Sequence, residues 1–113
     1  MAGVNSNDFR KLALSLPEAT EGAHMGHADF RVGGKIFATI ASGEEQGMVK
    51  LPPPLQATLV GSHPDVFEPS SGAWGRQGCT QVVFAKAKAP LIRQALEEAW
   101  RKTAPKKILR QYE

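Results

Sequence analysis

The sequence predicts an α+β fold, in which helices pack on an antiparallel sheet made of a meander of three or four strands plus two later strands. Two β-prone runs flank Gly33-Gly34, a pattern typical of a tight hairpin. Apolar residues recur at helical spacing at Phe9, Leu12 and Leu16, and a longer helical pattern follows Pro90. Helices therefore interrupt the strands without the regular alternation of a parallel sheet.

The N-terminal half is predicted to contain one helix and the meander. Asn7 or Asp8 caps the helix, which runs to about Leu16 before Pro17 ends it, because the residue before a proline avoids the α region. Glycine supplies the positive φ of a tight turn, so Gly33-Gly34 joins the two arms of the hairpin. The predicted strands are residues 20–25, 29–32, 35–41 and 48–51.

Prolines mark the helices of the C-terminal half. Proline fits the first turn of a helix, where its missing amide would be unpaired, so Pro52-Pro53-Pro54, Pro90 and Pro105 each open one. Gly61 ends the first of these helices. The predicted elements are, in order, a helix at 52–61, a strand at 66–67, a glycine-rich loop at 70–78, a strand at 80–85, a helix at 90–102 and a basic tail helix at 106–110.

Length and composition indicate one domain spanning residues 1–113, with 42% hydrophobic and 22% charged residues, as in ordinary globular proteins. No apolar run approaches the roughly 20 residues of a membrane span, and the N-terminus lacks the pattern of a signal peptide. A single cysteine, Cys79, excludes an internal disulfide. We therefore expect a cytoplasmic protein that does not bind membranes.

The net charge of +3 is unevenly distributed along the chain. Residues 1–85 hold six basic and eight acidic residues, whereas residues 86–113 hold eight basic and three acidic residues. A basic C-terminal quarter attracts phosphate-rich partners, and the alternative is a solvated helix face.

Some residues have the chemistry of a metal site or of a catalytic site. Glu21, His24 and His27 have ligand chemistry, but residues three apart on one strand point to opposite faces, so we predict no metal site. Cys79 could act as a nucleophile with one of these histidines or His63 as its base. A lone cysteine entering a strand is more often a small buried residue, and we predict no catalytic residue.

Two further segments carry candidate binding residues. Gly72-x-x-Gly75-x-x-Gly78 resembles a phosphate loop only loosely, but it contains Trp74, a flat apolar surface, and Arg76, a fork of donors. Arg31 and Lys35 lie close to the hairpin turn, where they either contact phosphates as a nucleic-acid-binding wing or keep the hairpin solvated. The alternative is that Trp74 packs over the sheet and that Arg76 is solvated.

With these residues in view, the chain resembles the MmcQ/YjbR family of small bacterial proteins from about residue 9 to residue 109. The order and spacing of several short motifs carry the resemblance. They are Leu16-Pro17-Glu18-Ala19-Thr20-Glu21, Phe30-Arg31-Val32-x-Gly34-Lys35-Ile36-Phe37-Ala38, Val49-Lys50-Leu51, Phe67-Glu68-Pro69, Gly72-Ala73-Trp74-Gly75-Arg76 and Ala104-Pro105-Lys106-Lys107.

The resemblance implies a double-wing α+β fold and a label of DNA-binding protein, with no agreed enzymatic activity, cofactor or catalytic residue. Two positions depart from the family pattern. Cys79 stands where similar sequences often carry tryptophan, and Trp100 stands where many carry tyrosine after serine. Both changes affect a ligand contact that members of the family would share, and neither affects the fold.

The leading hypothesis is a DNA-binding or regulatory accessory protein, a monomer or weak homodimer that binds duplex DNA without a cofactor or catalysis. Its predicted nucleic-acid-binding residues are Arg31, Lys35, Arg76, Lys106, Lys107 and Arg110. A competing hypothesis is a small-molecule or peptide-binding module, whose predicted pocket residues are His24, His27, Trp74 and Arg76. A third is a protein-interaction domain that uses an exposed strand edge or apolar patch.

Overall fold

A computed structural model describes residues 3–112, which form a six-stranded antiparallel sheet with helices packed against it. The helices are α1 (Ser6–Leu14), α2 (Pro53–Ser62), α3 (Gly72–Arg76), α4 (Ala89–Thr103) and α5 (Lys106–Gln111), with a 3-10 turn at Phe84–Lys86. The strands are β1 (Thr20–His24), β2 (His27–Val32), β3 (Lys35–Ile40), β4 (Gln46–Lys50), β5 (Phe67–Pro69) and β6 (Cys79–Val83). The predicted α+β class is confirmed, and the shared elements end within two residues of their predicted bounds.

Helix α1 begins with a capping box rather than at the predicted cap. The Asn5 side chain accepts a hydrogen bond from the Asp8 amide at 2.9 Å, and the Asp8 carboxylate accepts one from the Asn5 amide at 3.1 Å. This exchange satisfies two of the amides that a helix start leaves without partners. The prediction that Asn7 or Asp8 caps the helix was wrong, although Asp8 takes part in the cap.

The strand order β1-β2-β3-β4-β6-β5 joins the meander and the later strands into one sheet. Neighbouring strands are antiparallel, as predicted. The hairpin turn between β2 and β3 uses φ values of 59° at Gly33 and 81° at Gly34, the left-handed region that glycine adopts without steric cost. Strand β6 pairs with β4 on one side and places the short β5 at the edge of the sheet.

A β-bulge in β3 changes which face of the sheet the following residues point to. Phe30 pairs with Ala38 and Arg31 with Ile36, so Phe37 is an extra residue in β3. Phe37 and Ala38 are consequently both buried, although consecutive residues of a regular strand point to opposite faces. Ile36 remains on the opposite face from this core.

Helices α1 and α4 cover the face of the sheet that bears the core. Helix α4 packs on β3 and β4, and α1 packs on α4. The residues that α4 buries are Ile92, Ala95, Leu96, Ala99 and Trp100. Trp100 is only 6% exposed, and its indole N–H donates a hydrogen bond to the Pro17 carbonyl at 2.9 Å. Trp100 therefore acts as a structural residue that links α4 to the segment following α1.

No helix within residues 3–112 combines the length and the apolar character needed to cross a membrane.

The predicted loop at residues 70–78 contains the short helix α3. A Cβ atom at Gly75 would lie 1.8 Å from the Ser70 carbonyl oxygen, so only glycine lets the helix pack this closely on the preceding segment. The buried Gln56 amide of α2 donates hydrogen bonds to the carbonyls of Gly75 and Cys79, at 3.0 and 3.1 Å. The local glycine content suggested a loop, but these contacts between distant residues stabilise a helix.

We expect Gln56→Met to lower the free energy of unfolding by about 1–2 kcal/mol, because a buried amide that bonds two carbonyls is lost while side-chain volume is kept. The loss is modest because each carbonyl keeps one backbone donor. Urea unfolding measures the change. Thr58→Ala, on the exposed side of the same helix, is the matched control and should cost less than about 0.5 kcal/mol. Equal losses in the two variants would contradict a structural role for the Gln56 amide.

Candidate functional site

The face of the sheet opposite α1 and α4 carries polar and half-buried side chains. The cross-strand register sets Asp29, Thr39, Met48 and Gln81 in one row across β2, β3, β4 and β6. Directly paired residues of an antiparallel sheet point to the same face, so these four side chains lie together. We call this surface the open face.

A buried carboxylate organises one end of the open face. Asp29 is 0% exposed, and both of its oxygens accept hydrogen bonds. Arg31 donates from Nε to Oδ1 at 2.7 Å and from Nη2 to Oδ2 at 3.0 Å, and His24 Nδ1 lies 2.7 Å from Oδ2. A two-pronged guanidinium contact and a third donor satisfy this carboxylate without water. We call these three residues the Asp29 cluster.

Local backbone geometry brings the Asp29 cluster together. Met25 and Gly26 have φ values of 51° and 79° and reverse the chain, so His24 pairs with His27 across β1 and β2. The expectation that the two histidines point to opposite faces was wrong, because a turn rather than a continuous strand separates them. Gly22 is also required, because a Cβ there would lie 2.9 Å from Asp29 Oδ1.

The electrostatics of the Asp29 cluster favour the ionised carboxylate. The hydrogen bond from Arg31 holds the pKa of Asp29 below its usual value; burial acts in the opposite direction, and His24 adds to the lowering. Because a carboxylate only accepts hydrogen bonds, the proton of a neutral His24 ring lies on Nδ1. The Nε2 atom of His24 is then an acceptor available to a ligand.

A cleft of about 460 Å³ lies between the open face and α3, and we call it the Trp74 cleft. Its apolar lining comes from Ile36, Met48, Cys79 and Trp74. The Trp74 side chain is 66% exposed. The polar lining residues are His24, Thr39, Lys50, Ser70, Ser71 and Gln81. An apolar cleft with a few convergent polar groups is the usual form of a ligand site.

A second, shallower depression of about 520 Å³ adjoins the Trp74 cleft, and we call it the basic depression. Four cationic side chains line it: Arg31 from β2, Lys35 from β3, Lys50 from β4 and Lys102 from the last turn of α4. The lysines among them form no ion pair with any carboxylate of residues 3–112. Lys50 and Ile36 line both cavities, so the cleft and the depression lie side by side.

The structure brings together only some of the predicted binding residues. Arg31 and Lys35 share the basic depression, and His24 and Trp74 share the Trp74 cleft. Neither His27 nor Arg76 is among the described residues that line these cavities, and Arg76 is exposed at the end of α3. The proposed wing is also anchored, since a Cβ at Gly33 would lie 2.4 Å from Pro105 Cγ.

The remaining predicted cations lie on α5, which begins beside the hairpin. Pro105 and Ile108 are the residues nearest to Gly33, while Lys106, Lys107 and Arg110 are exposed. Sequence reasoning did not identify Lys50, Lys102 or Asp29 as site residues. No sequence motif around these residues indicates a site. The two lysines reach the hairpin only through the pairing of β4 and the crossing of α4 over the sheet.

The other chemistries considered from the sequence do not assemble within residues 3–112. No group of three or more His, Cys, Asp or Glu side chains there could hold a metal ion. Cys79 and His24 lie on β6 and β1, with three strands between them, or about 19 Å along the sheet at the usual strand spacing. Cys79 is a buried free cysteine in the lining of the Trp74 cleft.

The fold and the open face define a class of small α+β protein, in which α1 and α4 cover one face of the sheet and the opposite face bears the Trp74 cleft. The YjbR family model matches residues 14–102 of this chain. This match covers most of the chain, and the protein belongs to the YjbR family.

One solved structure similar to this chain is the crystal structure of Deinococcus radiodurans protein DR2400, described as a DUF419 domain. Its TM-score is 0.73 at 18% sequence identity, over 86% of this chain and 76% of that one. This similarity supports the fold alone. No curated protein matches the chain.

We expect Asp29→Asn to lower the free energy of unfolding at pH 7 by about 1–3 kcal/mol, since charge-assisted hydrogen bonds are lost. The folded-state pKa of Asp29 is lowered, so its stabilising contribution is present above about pH 4 and disappears as the pH falls through the folded-state value. The loss caused by the variant should therefore be smaller at pH 3 than at pH 7. Urea unfolding at both pH values is the measurement.

The control for this pH effect is Asp65→Asn, which changes an exposed carboxylate to the same amide. It should change stability little at either pH. A loss in Asp29→Asn that is the same at pH 3 and pH 7 would contradict the electrostatic explanation.

Proposed function

We propose that this protein binds nucleic acid through phosphates held on the basic depression, as a non-catalytic accessory or regulatory protein. The observation that supports this most is the convergence of Arg31, Lys35, Lys50 and Lys102 from four different elements on one concave surface. Of the four cations that line this depression, Arg31 is paired with Asp29, whereas the three lysines have no carboxylate partner within residues 3–112. Three lysines are therefore left to attract phosphates.

The geometry favours a strand of nucleic acid laid across the open face over a hairpin inserted into a groove. The hairpin turn is anchored against Pro105, whereas Lys50 lies on the open face and Lys35 lies at the end of the hairpin, and both line the depression. Arg31 uses Nε and Nη2 to bind Asp29, which leaves Nη1 for a phosphate oxygen. Lys106, Lys107 and Arg110 add positive charge on the helix that begins at this turn.

A second candidate function is a small-molecule-binding module. The Trp74 cleft favours it, because about 460 Å³ lies within the roughly 300–1,000 Å³ range of ligand pockets. A free ligand would then bind in the cleft with little dependence on salt.

The double variant Lys50→Ala/Lys102→Ala tests the nucleic-acid proposal. Fluorescence anisotropy with a labelled oligonucleotide gives the association constant between about 50 and 200 mM salt. Each phosphate contact contributes about 0.7–0.9 to the slope of log affinity against log salt, so the variant should bind more weakly with a slope shallower by about 1.4–1.8.

The matched control is Lys86→Ala/Lys88→Ala, which removes the same charge from exposed positions. Lys88 precedes α4 and lies about 21 Å from Lys102 along that helix, at a rise of about 1.5 Å per residue. The control should keep a nearly wild-type slope. Equal slopes in the two doubles, or no salt-dependent binding by the wild type, would count against the basic depression as the binding surface.

A further inference from the structure

We propose that the Trp74 cleft and the adjoining basic depression bind an unpaired nucleotide, with its base in the cleft and its phosphate on the depression, so that single strands bind in preference to duplexes. This inference rests on the nucleic-acid function proposed above and names the form of the partner. It is carried by the adjacency of an aromatic cleft and a cationic depression, which share Ile36 and Lys50 as lining residues.

Trp74 is held as an exposed stacking surface. Its side chain is 66% exposed, although large aromatic residues usually bury most of their area. The helix beneath it is fixed by the close approach of Gly75 to Ser70 and by the hydrogen bond from Gln56 to the Gly75 carbonyl. Because α3 is held rigidly, the Trp74 indole stays exposed and is not covered by other side chains of residues 3–112. Stacking on such a surface accepts any base, because every base has a π-face.

The cleft suits a flat ring with polar edges. Ile36 and Met48 supply apolar surface on the sheet side, across from the indole of α3. Gln81, Ser70 and His24 supply polar groups at the cleft wall. In a duplex, the faces of each base are covered by its stacked neighbours, and only an unpaired base can place a face against Trp74.

The position of the lysines fits the phosphate of the same nucleotide. Met48 lines the Trp74 cleft, and Lys50 lies two residues further along β4 on the same face, about 7 Å away at the usual strand rise. Lys50 also lines the basic depression together with Lys102. A base and its phosphate are joined through one sugar, so a single nucleotide spans from the cleft to the lysines.

The test compares three probes: an oligothymidylate of about 12 nucleotides, which is within the usual site size of single-strand binders, its duplex with oligoadenylate, and thymidine monophosphate. Anisotropy measures the affinity of the two oligonucleotides, and tryptophan fluorescence follows all three. Quenching reports on Trp74, because Trp100 is only 6% exposed. We expect the single strand to bind about tenfold more tightly than the duplex and to quench the fluorescence.

Trp74→Ala should weaken single-strand binding about tenfold and duplex binding less than about twofold, since only stacking is lost. Trp74→Phe keeps a ring and should restore much of the affinity while removing the quenching. Tyr112→Ala, which removes an exposed aromatic outside the cleft, is the control and should leave both affinities unchanged.

The outcomes separate this inference from the function on which it rests. Equal affinity for single strand and duplex, with Trp74→Ala unchanged and Lys50→Ala/Lys102→Ala weakened, overturns the unpaired-nucleotide site but leaves nucleic-acid binding in place. Thymidine monophosphate binding as tightly as the oligonucleotide also overturns it, in favour of a small-molecule site. Absence of salt-dependent binding to either oligonucleotide overturns both proposals.

Discussion

Each strand of an antiparallel sheet sends alternate side chains to two faces, and this protein keeps that division in register across six strands. The bulge at Phe37 is the point at which the register is adjusted. It lets Phe37 and Ala38 both enter the core while Ile36 and Thr39 stay on the open face. The core beneath α4 and the cleft beside Trp74 therefore depend on the same local irregularity.

The open face is polar and well ordered, because the carboxylate at one end of it is buried and both of its oxygens accept hydrogen bonds. Asp29 would be costly to bury alone, but Arg31 and His24 satisfy both of its oxygens. The same contacts fix the directions of the two basic side chains. A surface whose polar groups are already held in place loses less conformational freedom when a ligand binds.

Family membership and fold similarity leave the function to be argued from the site, since one fold supports many activities. The site consists of two adjacent cavities that differ in chemistry. One offers an indole and apolar side chains, and the other offers lysines without described carboxylate partners. A nucleotide has the same division between an aromatic ring and an anionic group.

The sequence by itself determined the features that depend on residues close together in the chain. Gly33-Gly34 required the turn of the hairpin, prolines marked the starts of helices, and periodic apolar residues marked the buried faces of α1 and α4. These features can be predicted because propensities, turn geometry and periodicity act over a few residues. They sufficed for the fold class and for Arg31, Lys35, His24 and Trp74 as candidates.

The tertiary structure alone decided which of these candidates lie together. The order β4-β6-β5 brings Met48 and Gln81 side by side, and the path of α4 brings Lys102 to the hairpin residue Lys35. The helical state of residues 72–76 likewise depends on Gln56, a residue 19 positions from Gly75. Contacts of this kind follow from how strands pair and helices cross, which the local pattern of residues does not specify, because many pairings can bury the same apolar residues.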